Sequence, residues 1–308
     1  GLPTPVRDRN VAGGPANPRH AKSRDATSGK GNDGTAMSQT SRDTAIVIVG
    51  AGGRMGRMLV RIASETPGAN VAAGLDRAGT SDLDRDLGEL AGIGGLGLRL
   101  TDDIDAALAA GHVAIDFTQP DATAANAERA AERGIAYVIG TTGLTPDHLA
   151  RIGRAAERTP IVVAPNMSLG VTLLTSLVEE VARRLDPSFD IEVVEMHHRM
   201  KVDAPSGTAL ALGHAAAKGR GRPLEEVWVK ARDGIPGARQ PGSIGFATLR
   251  GGDVIGDHSV IFAALGERLE LTHKASSREL FARGALRAAL WLKGKPPGLY
   301  GMKDVLGL

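Results

Sequence analysis

Between residues 192 and 209 the chain concentrates polar chemistry that a protein core has little use for. The run Glu192-Val193-Val194-Glu195-Met196-His197-His198-Arg199-Met200-Lys201 leads through Val202-Asp203-Ala204-Pro205 into Ser206-Gly207-Thr208-Ala209. Two adjacent histidines, an arginine and a lysine offer cationic donors to an anionic substrate, and Ser-Gly-Thr at the mouth of a helix adds backbone amides that favour an anion. The substrate this predicts carries carboxylates or phosphates. Neighbouring histidines on a strand point to opposite faces, and neither a cysteine nor an HExxH spacing accompanies them, so no metal is expected. The plainer alternative is a basic surface loop followed by a capped helix.

A second constellation lies far upstream. A strand-like run over residues 45–49 enters Gly50-Ala51-Gly52-Gly53-Arg54-Met55-Gly56 and then an amphipathic stretch. Glycines let a backbone turn sharply and approach a pyrophosphate, whose charge meets the amides at the positive end of the next helix. Asp76, at the end of the second strand, is placed to accept from ribose hydroxyls, and Arg77 to pair with the 2′-phosphate of NADP. The two favour different cofactors, so NADH and NADPH are both expected; the alternative is a simple glycine turn beside two solvated charges. Gly140-Thr141-Thr142-Gly143 closes another strand-like run where open α/β sheets bind ligands.

The elements that must position these groups read as repeated βα units. Short apolar runs at 45–49, 71–75, 113–117, 136–139 and 161–164 are continuous enough for a parallel sheet buried on both faces. Helices are expected over 55–64, 122–133 and 145–158, the last opened by Thr145-Pro146-Asp147. Beyond Ser168 a helix at 171–185, an alternating strand at 189–197 and β-like runs at 227–230, 245–249, 254–263 and 268–274 predict a second α+β domain with an open, mainly antiparallel sheet. A last helix over 277–292 is apolar on one face and suited to pack back on the first domain. The division expected is 44–168 for the Rossmann-type dinucleotide domain, completed by 279–308, and 169–278 for substrate binding and oligomerisation.

Composition narrows the function classes. Hydrophobic residues make up 42% and charged residues 23% of 308, which fits a folded soluble chain. The absence of cysteine removes disulfides, thiolate metal sites and a cysteine nucleophile, and fits the cytoplasm. No apolar run is long enough to span a bilayer. The pI near 9.0 hints at nucleic acid only until the charges are placed. Residues 1–36 hold six Lys or Arg and three Asp, leaving 31 basic and 32 acidic residues beyond them. A nearly neutral body argues against nucleic acid, and residues 1–43, rich in Gly, Pro, Ser and Arg, are expected to be a disordered extension.

Taken together, GAGGRMG at Gly50, DFT at Asp116, GTTG at Gly140, the Glu192 to Ala209 signature, GFATLRGGD from Gly245 and GERLELTHKASSR from Gly266 resemble the dihydrodipicolinate reductase family over about residues 45–308. The resemblance implies reduction of 4-hydroxy-tetrahydrodipicolinate to tetrahydrodipicolinate in lysine and diaminopimelate biosynthesis, with NADH or NADPH, by a homotetramer. It implies His197 as acid/base and Lys201 as proton donor. His198, Ser206, Gly207, Thr208 and Arg278 would hold the substrate, a small cyclic dicarboxylate. The cofactor would lie against Gly50, Ala51, Gly52, Gly53, Arg54, Met55, Asp76, Arg77, Phe117, Thr118, Gly140, Thr141, Thr142, Ala164, Pro165, Asn166 and Met167. The chain departs from the family pattern at Gln119, where an arginine can follow DFT, at Met167, where an aromatic can sit, and at Met200, where a histidine can occur. Two rival readings are another two-domain amino-acid dehydrogenase acting on aspartate or a diaminopimelate-like substrate, and a silent dinucleotide sensor.

Overall fold

The computed structural model describes residues 43–308, so the extension expected over 1–43 lies, but for Asp43, outside the described residues. From there the chain alternates β1 (Thr44–Val49), α1 (Arg54–Glu65), β2 (Ala69–Leu75), α2 (Leu87–Ala91), β3 (Leu100–Thr101), α3 (Ile104–Ala109), β4 (Val113–Asp116), α4 (Pro120–Glu132), β5 (Ala136–Ile139), α5 (Pro146–Ala156) and β6 (Pro160–Val163). With β12 (Gly298–Tyr300) these strands form one sheet in the order β12-β6-β5-β4-β1-β2-β3, every pairing parallel. Strand order reverses at β1, so the crevice between β1 and β4 is the place where such sheets bind ligands.

Both faces of this sheet are covered, which is why its strands read as unbroken apolar runs. Ile46 and Ile48 pack with Leu59 and Val60 of α1 and with Ala285 and Leu286 of α9 (Glu279–Leu292). Val47 and Val49 face the other way, onto Ala127 and Ala130 of α4 and Ile152 of α5. Thr145 caps α5 as its Thr-Pro-Asp start suggests, its hydroxyl accepting from the His148 N–H. The returning helix α9 lies against α1 and the strands β4 to β6. Short elements escape the sequence pattern: β3, β12, α2, α3 and α10 (Met302–Leu306) are each too brief to show a period.

The second sheet contains β7 (Asp190–His197), β8 (Trp228–Val229), β9 (Ile244–Arg250), β10 (Gly256–Ala264) and β11 (Glu267–Ala275), ordered β11-β10-β7-β9-β8. It is open as expected, but mixed where a mainly antiparallel sheet was expected. β10 pairs antiparallel with β7 and β11, whereas β9 pairs parallel with β7 and β8. The reason lies in the connection: β7 is followed by α7 (Gly207–Gly219) and α8 (Leu224–Val227), long enough to carry the chain back for a parallel return. The strand expected over 227–230 is correspondingly shorter, its start taken by α8. α7 and α6 (Leu169–Arg184) pack side by side on one face, where Leu174, Val178, Leu212 and Ala216 meet Val193, Phe246, Val260 and Phe262.

One glycine sets how closely α9 can approach. A Cβ on Gly284 would stand 1.7 Å from the carbonyl oxygen of Met167, a backbone atom that cannot swing aside. Gly284→Ala is therefore expected to lower unfolding free energy by about 2 kcal/mol or more through forced separation of the helix from residues 164–167. A urea midpoint within error of the parent would show that the helix shifts freely.

Candidate active site

The glycine loop is held from three sides. The amides of Gly50 and Ala51 both donate to the Leu75 carbonyl, Arg57 Nε donates to the Gly52 carbonyl at 2.7 Å, and the Gly52 N–H donates to Asp76 Oδ2 at 3.0 Å. Gly50 has φ +75°, a conformation glycine adopts freely, and a Cβ at Gly56 would lie 2.1 Å from the Gly50 oxygen. This close approach turns α1 so that its first-turn amides, which have no partner within the helix, point along the loop. Gly53, its N-cap, supplies no side-chain acceptor. Free amides, a helix N-terminus and a bare backbone together fit a dinucleotide pyrophosphate.

Three cavities that share lining residues form a trough from this loop to the histidines. One end, a cavity of about 570 Å³, is lined by Gly50, Gly53, Asp76, Arg77, Phe117, Thr118 and Gln119. Gly50, Gly53 and Phe117 also border a cavity of about 360 Å³ with Arg54, Met55 and Arg278. Met55 and Arg278 border in turn a cavity of about 550 Å³ with Thr142, Pro165, Asn166, His197, His198, Lys201, Ser206, Gly207 and Thr208. Arg54, Arg77 and Arg278 are exposed and make no ion pair among the described residues. Asn166 Nδ2 donates to Thr208 Oγ1 at 3.1 Å and so ties the loop after β6 to the start of α7.

Not every residue singled out in the sequence reaches the trough. Ala51, Thr141, Ala164 and Met167 are buried behind it. Thr141 belongs to a polar cluster in which Asp116 accepts from the Thr118 N–H and hydroxyl and from the Tyr137 hydroxyl at 2.8 Å. Burial pushes the Asp116 carboxyl up from the ordinary range despite these donors. Gly140 leaves room for the Phe117 ring, 2.2 Å from where a Cβ would be. Gly52 acts through the hydrogen bond its N–H donates to Asp76. Ser206 borders the trough, yet its hydroxyl is already engaged, accepting from the Ala209 N–H and meeting His258 Nε2 at 3.1 Å.

Sequence reasoning missed several groups that shape the site. Asp102, Ile104, Asn126 and Arg129 complete the far end of the trough. Asn126 and Arg129 share a helix face with Ala122, an i, i+4, i+7 signal present in the sequence. Glu195 is buried beside His197, and its Oε2 stands 2.5 Å from His197 Nδ1. Arg250 donates to both Glu195 oxygens at 2.8 and 3.0 Å. Burial alone would raise the Glu195 carboxyl, but the bonds from Arg250, His197 and the Ser206 N–H outweigh it and hold it below the ordinary carboxylate range. Lys201 Nζ lies 2.7 Å from Asp203 Oδ1 at the trough mouth.

His258 is buried across from His197, their ring centroids 5.0 Å apart. Burial, with His197 nearby, lowers its pKa from 6.5 to about 4. An unfolded chain then binds this proton more readily than the folded one. Stability should decline as pH falls from 6.5 towards about 4, by up to about 3 kcal/mol, and level off below. Unfolding free energies of the parent and His258→Gln across that window check this: the variant's profile should be flatter, and equal slopes would remove His258 as the cause.

Known proteins agree with this architecture. The family model described as "Dihydrodipicolinate reductase, N-terminus" matches residues 44–167, and "Dihydrodipicolinate reductase, C-terminus" matches 170–306. The 4-hydroxy-tetrahydrodipicolinate reductase of Rhodopseudomonas palustris (strain BisB18) is 56% identical over 266 residues, covering 86% of this chain and 98% of the relative. That of Anaeromyxobacter dehalogenans (strain 2CP-1) is 51% identical over 265 residues, covering 86% and 98%. Among solved structures, the dipicolinate-bound dihydrodipicolinate reductase from Paenisporosarcina sp. TG-14 shares the fold, with TM-score 0.69 at 23% identity, covering 85% of this chain and 99% of that one. Matched along both halves and at more than half identity to such relatives, the chain belongs to the dihydrodipicolinate reductase family.

Proposed function

We propose that this chain is an NAD(P)H-dependent oxidoreductase that reduces 4-hydroxy-tetrahydrodipicolinate to tetrahydrodipicolinate in lysine and diaminopimelate biosynthesis. In this reading, residues 44–168 with 279–308 hold the dinucleotide and 169–278 hold the substrate. The observation that carries it is the shared lining of adjoining cavities: Met55 and Arg278 border both the glycine-loop cavity and the cavity of His197 and Lys201. A dinucleotide held along the first segment would have its reactive end near the second.

Loss of the 4-hydroxyl as water gives the ring an electron-poor conjugated double bond; a bound reduced nicotinamide would supply the hydride to it, and one proton completes the reduction. The chain's own residues do the rest. Amides at Gly207 and Thr208, at the positive end of α7, and the side chains of His198 and Arg278 hold carboxylates and fix the ring. Lys201, released from Asp203, stabilises charge as it develops and donates a proton; His197 serves as the acid/base. Ser206 acts as the cap that orients the α7 amides. Arg54, Met55, Phe117, Thr118, Thr142, Pro165 and Asn166 line the cofactor's path, with Gly50, Gly52 and Gly53 keeping the backbone bare.

No helix among the described residues is long and apolar enough to cross a membrane. The reading places the enzyme in the cytoplasm as a homotetramer. Support for assembly is the sheet face turned away from α6 and α7, where Val194, Met196 and Ile261 are only partly buried and Leu249 is 51% exposed. Light scattering giving a monomer would remove that part.

NADH and NADPH oxidation with freshly made pathway substrate, against aspartate-type substrates and a no-substrate control, tests the reaction; turnover with aspartate-type substrates alone would overturn it. His197→Gln should lower kcat by roughly 10² to 10⁴ with cofactor affinity little changed. Lys201→Ala should cut kcat/KM strongly while the Kd for reduced cofactor stays within about threefold, and full activity would defeat the assignment. Arg77→Ala should weaken NADPH about tenfold and leave NADH nearly unchanged, the low end for a charged hydrogen bond at an exposed position. Titrations in which both cofactors weaken equally would make Arg77 a support for the loop.

A further inference from the structure

Glu195 and His197 lie two residues apart on β7, so both side chains point to its buried face. The Glu195 carboxylate gathers four donors. Oε1 accepts from the Ser206 N–H at 3.0 Å and from Arg250 Nη2 at 3.0 Å; Oε2 accepts from Arg250 Nη1 at 2.8 Å and faces His197 Nδ1 at 2.5 Å. A guanidinium and a backbone amide can only donate, so three of the four are fixed in role. The imidazole alone has a choice of tautomer, and an acceptor-only carboxylate settles it.

We propose that Glu195 is the positioning residue that keeps the proton of neutral His197 on Nδ1, leaving Nε2 as the atom that exchanges a proton with the substrate. Gly256 is consistent with an open Nε2: a Cβ there would stand 3.0 Å from this atom. The same carboxylate holds the Ser206 N–H, the residue that caps α7, so the exchanging atom and the substrate-binding amides of Gly207 and Thr208 share one anchor. Other titratable groups around the ring are His258 on β10, His273 on β11, Arg250 on β9, Lys201 and His198 in the following loop, and Arg278 across the trough. None of them contacts Nδ1, so Glu195 alone sets the tautomer.

The inference rests on His197 serving as acid/base, and its test separates the two. Long-range ¹H–¹⁵N spectra of ¹⁵N-histidine-labelled enzyme report which ring nitrogen carries the proton once His197 is neutral. The parent should show Nδ1–H; an Nε2–H parent overturns the inference whatever any variant does. In Glu195→Gln the new NH₂ would meet two fixed donors at the Oε1 side, Ser206 N–H and Arg250 Nη2, but only Arg250 Nη1 at the Oε2 side, so it turns to His197 and drives the proton to Nε2. The expected result is that tautomer switch, with kcat down on the order of 10² to 10⁴ and the Kd for NADH within about threefold. Glu195→Asp, which retains the charge, should keep Nδ1–H and recover part of kcat. Retention of Nδ1–H in Glu195→Gln overturns the inference. A switched tautomer with unchanged kcat overturns the reading of His197 and, with it, the role given to Nε2.

Discussion

In a sheet whose strands all run one way, every strand ends on the same edge, and each loop that follows is delivered to a single rim. That constraint brings Gly50, Asp76, Phe117 and Thr142 together although they span nearly a hundred residues of sequence. It also leaves the amino end of α1 facing that rim, with its unpaired first-turn amides and positive dipole end. Reversal of strand order at β1 opens the crevice in which the trough begins. The remaining features refine this geometry: Arg57 and Asp76 hold the loop, and the Asp116 cluster holds Thr118 against Gly50.

The second sheet solves a different problem, since it must hold ionisable groups at a fixed distance from that rim. Here the alternation of β7 matters most. One face of the strand supplies Ile191 and Val193 to the core, and as the strand leaves it the same face supplies Glu195 and His197. The ionisable pair is thus placed at the end of a rigid element and not on a free loop, while Lys201 lies beyond the strand, held by Asp203. Asn166 and Thr208 bridge the two halves where the trough crosses from one to the other.

How much of this could be read from residues alone depended on the range of the interaction. The glycine loop, its strand and helix, and the Ser206 cap are local, and their spacing carries the geometry. The buried runs around Ile46 and Val113 predicted a parallel sheet because burial on both faces removes alternation. The mixed second sheet was not legible: whether β9 pairs parallel or antiparallel with β7 is set by the path of a long connection. Nor was Met167, which stands in a loop beside candidate cofactor contacts and is turned inward by α9 and Gly284. Glu195 lay between the two. Its parity with His197 was visible, but Arg250, which makes its burial tolerable, comes from a strand 55 residues on.

That dependence bears on why the pair, with Glu195 buried and Arg250 half-buried, is there at all. Withdrawing Glu195 and Arg250 from water costs several kcal/mol before their attraction is counted, and an apolar pair of similar volume can be as stable. Stability is therefore a weak reason for the arrangement. An apolar substitute, however, would leave the Ser206 N–H without an acceptor and His197 free to take either tautomer, while the backbone stayed much the same. The ion pair contributes direction: it fixes which atoms donate and which accept at the point where the strand, the α7 cap and the trough meet.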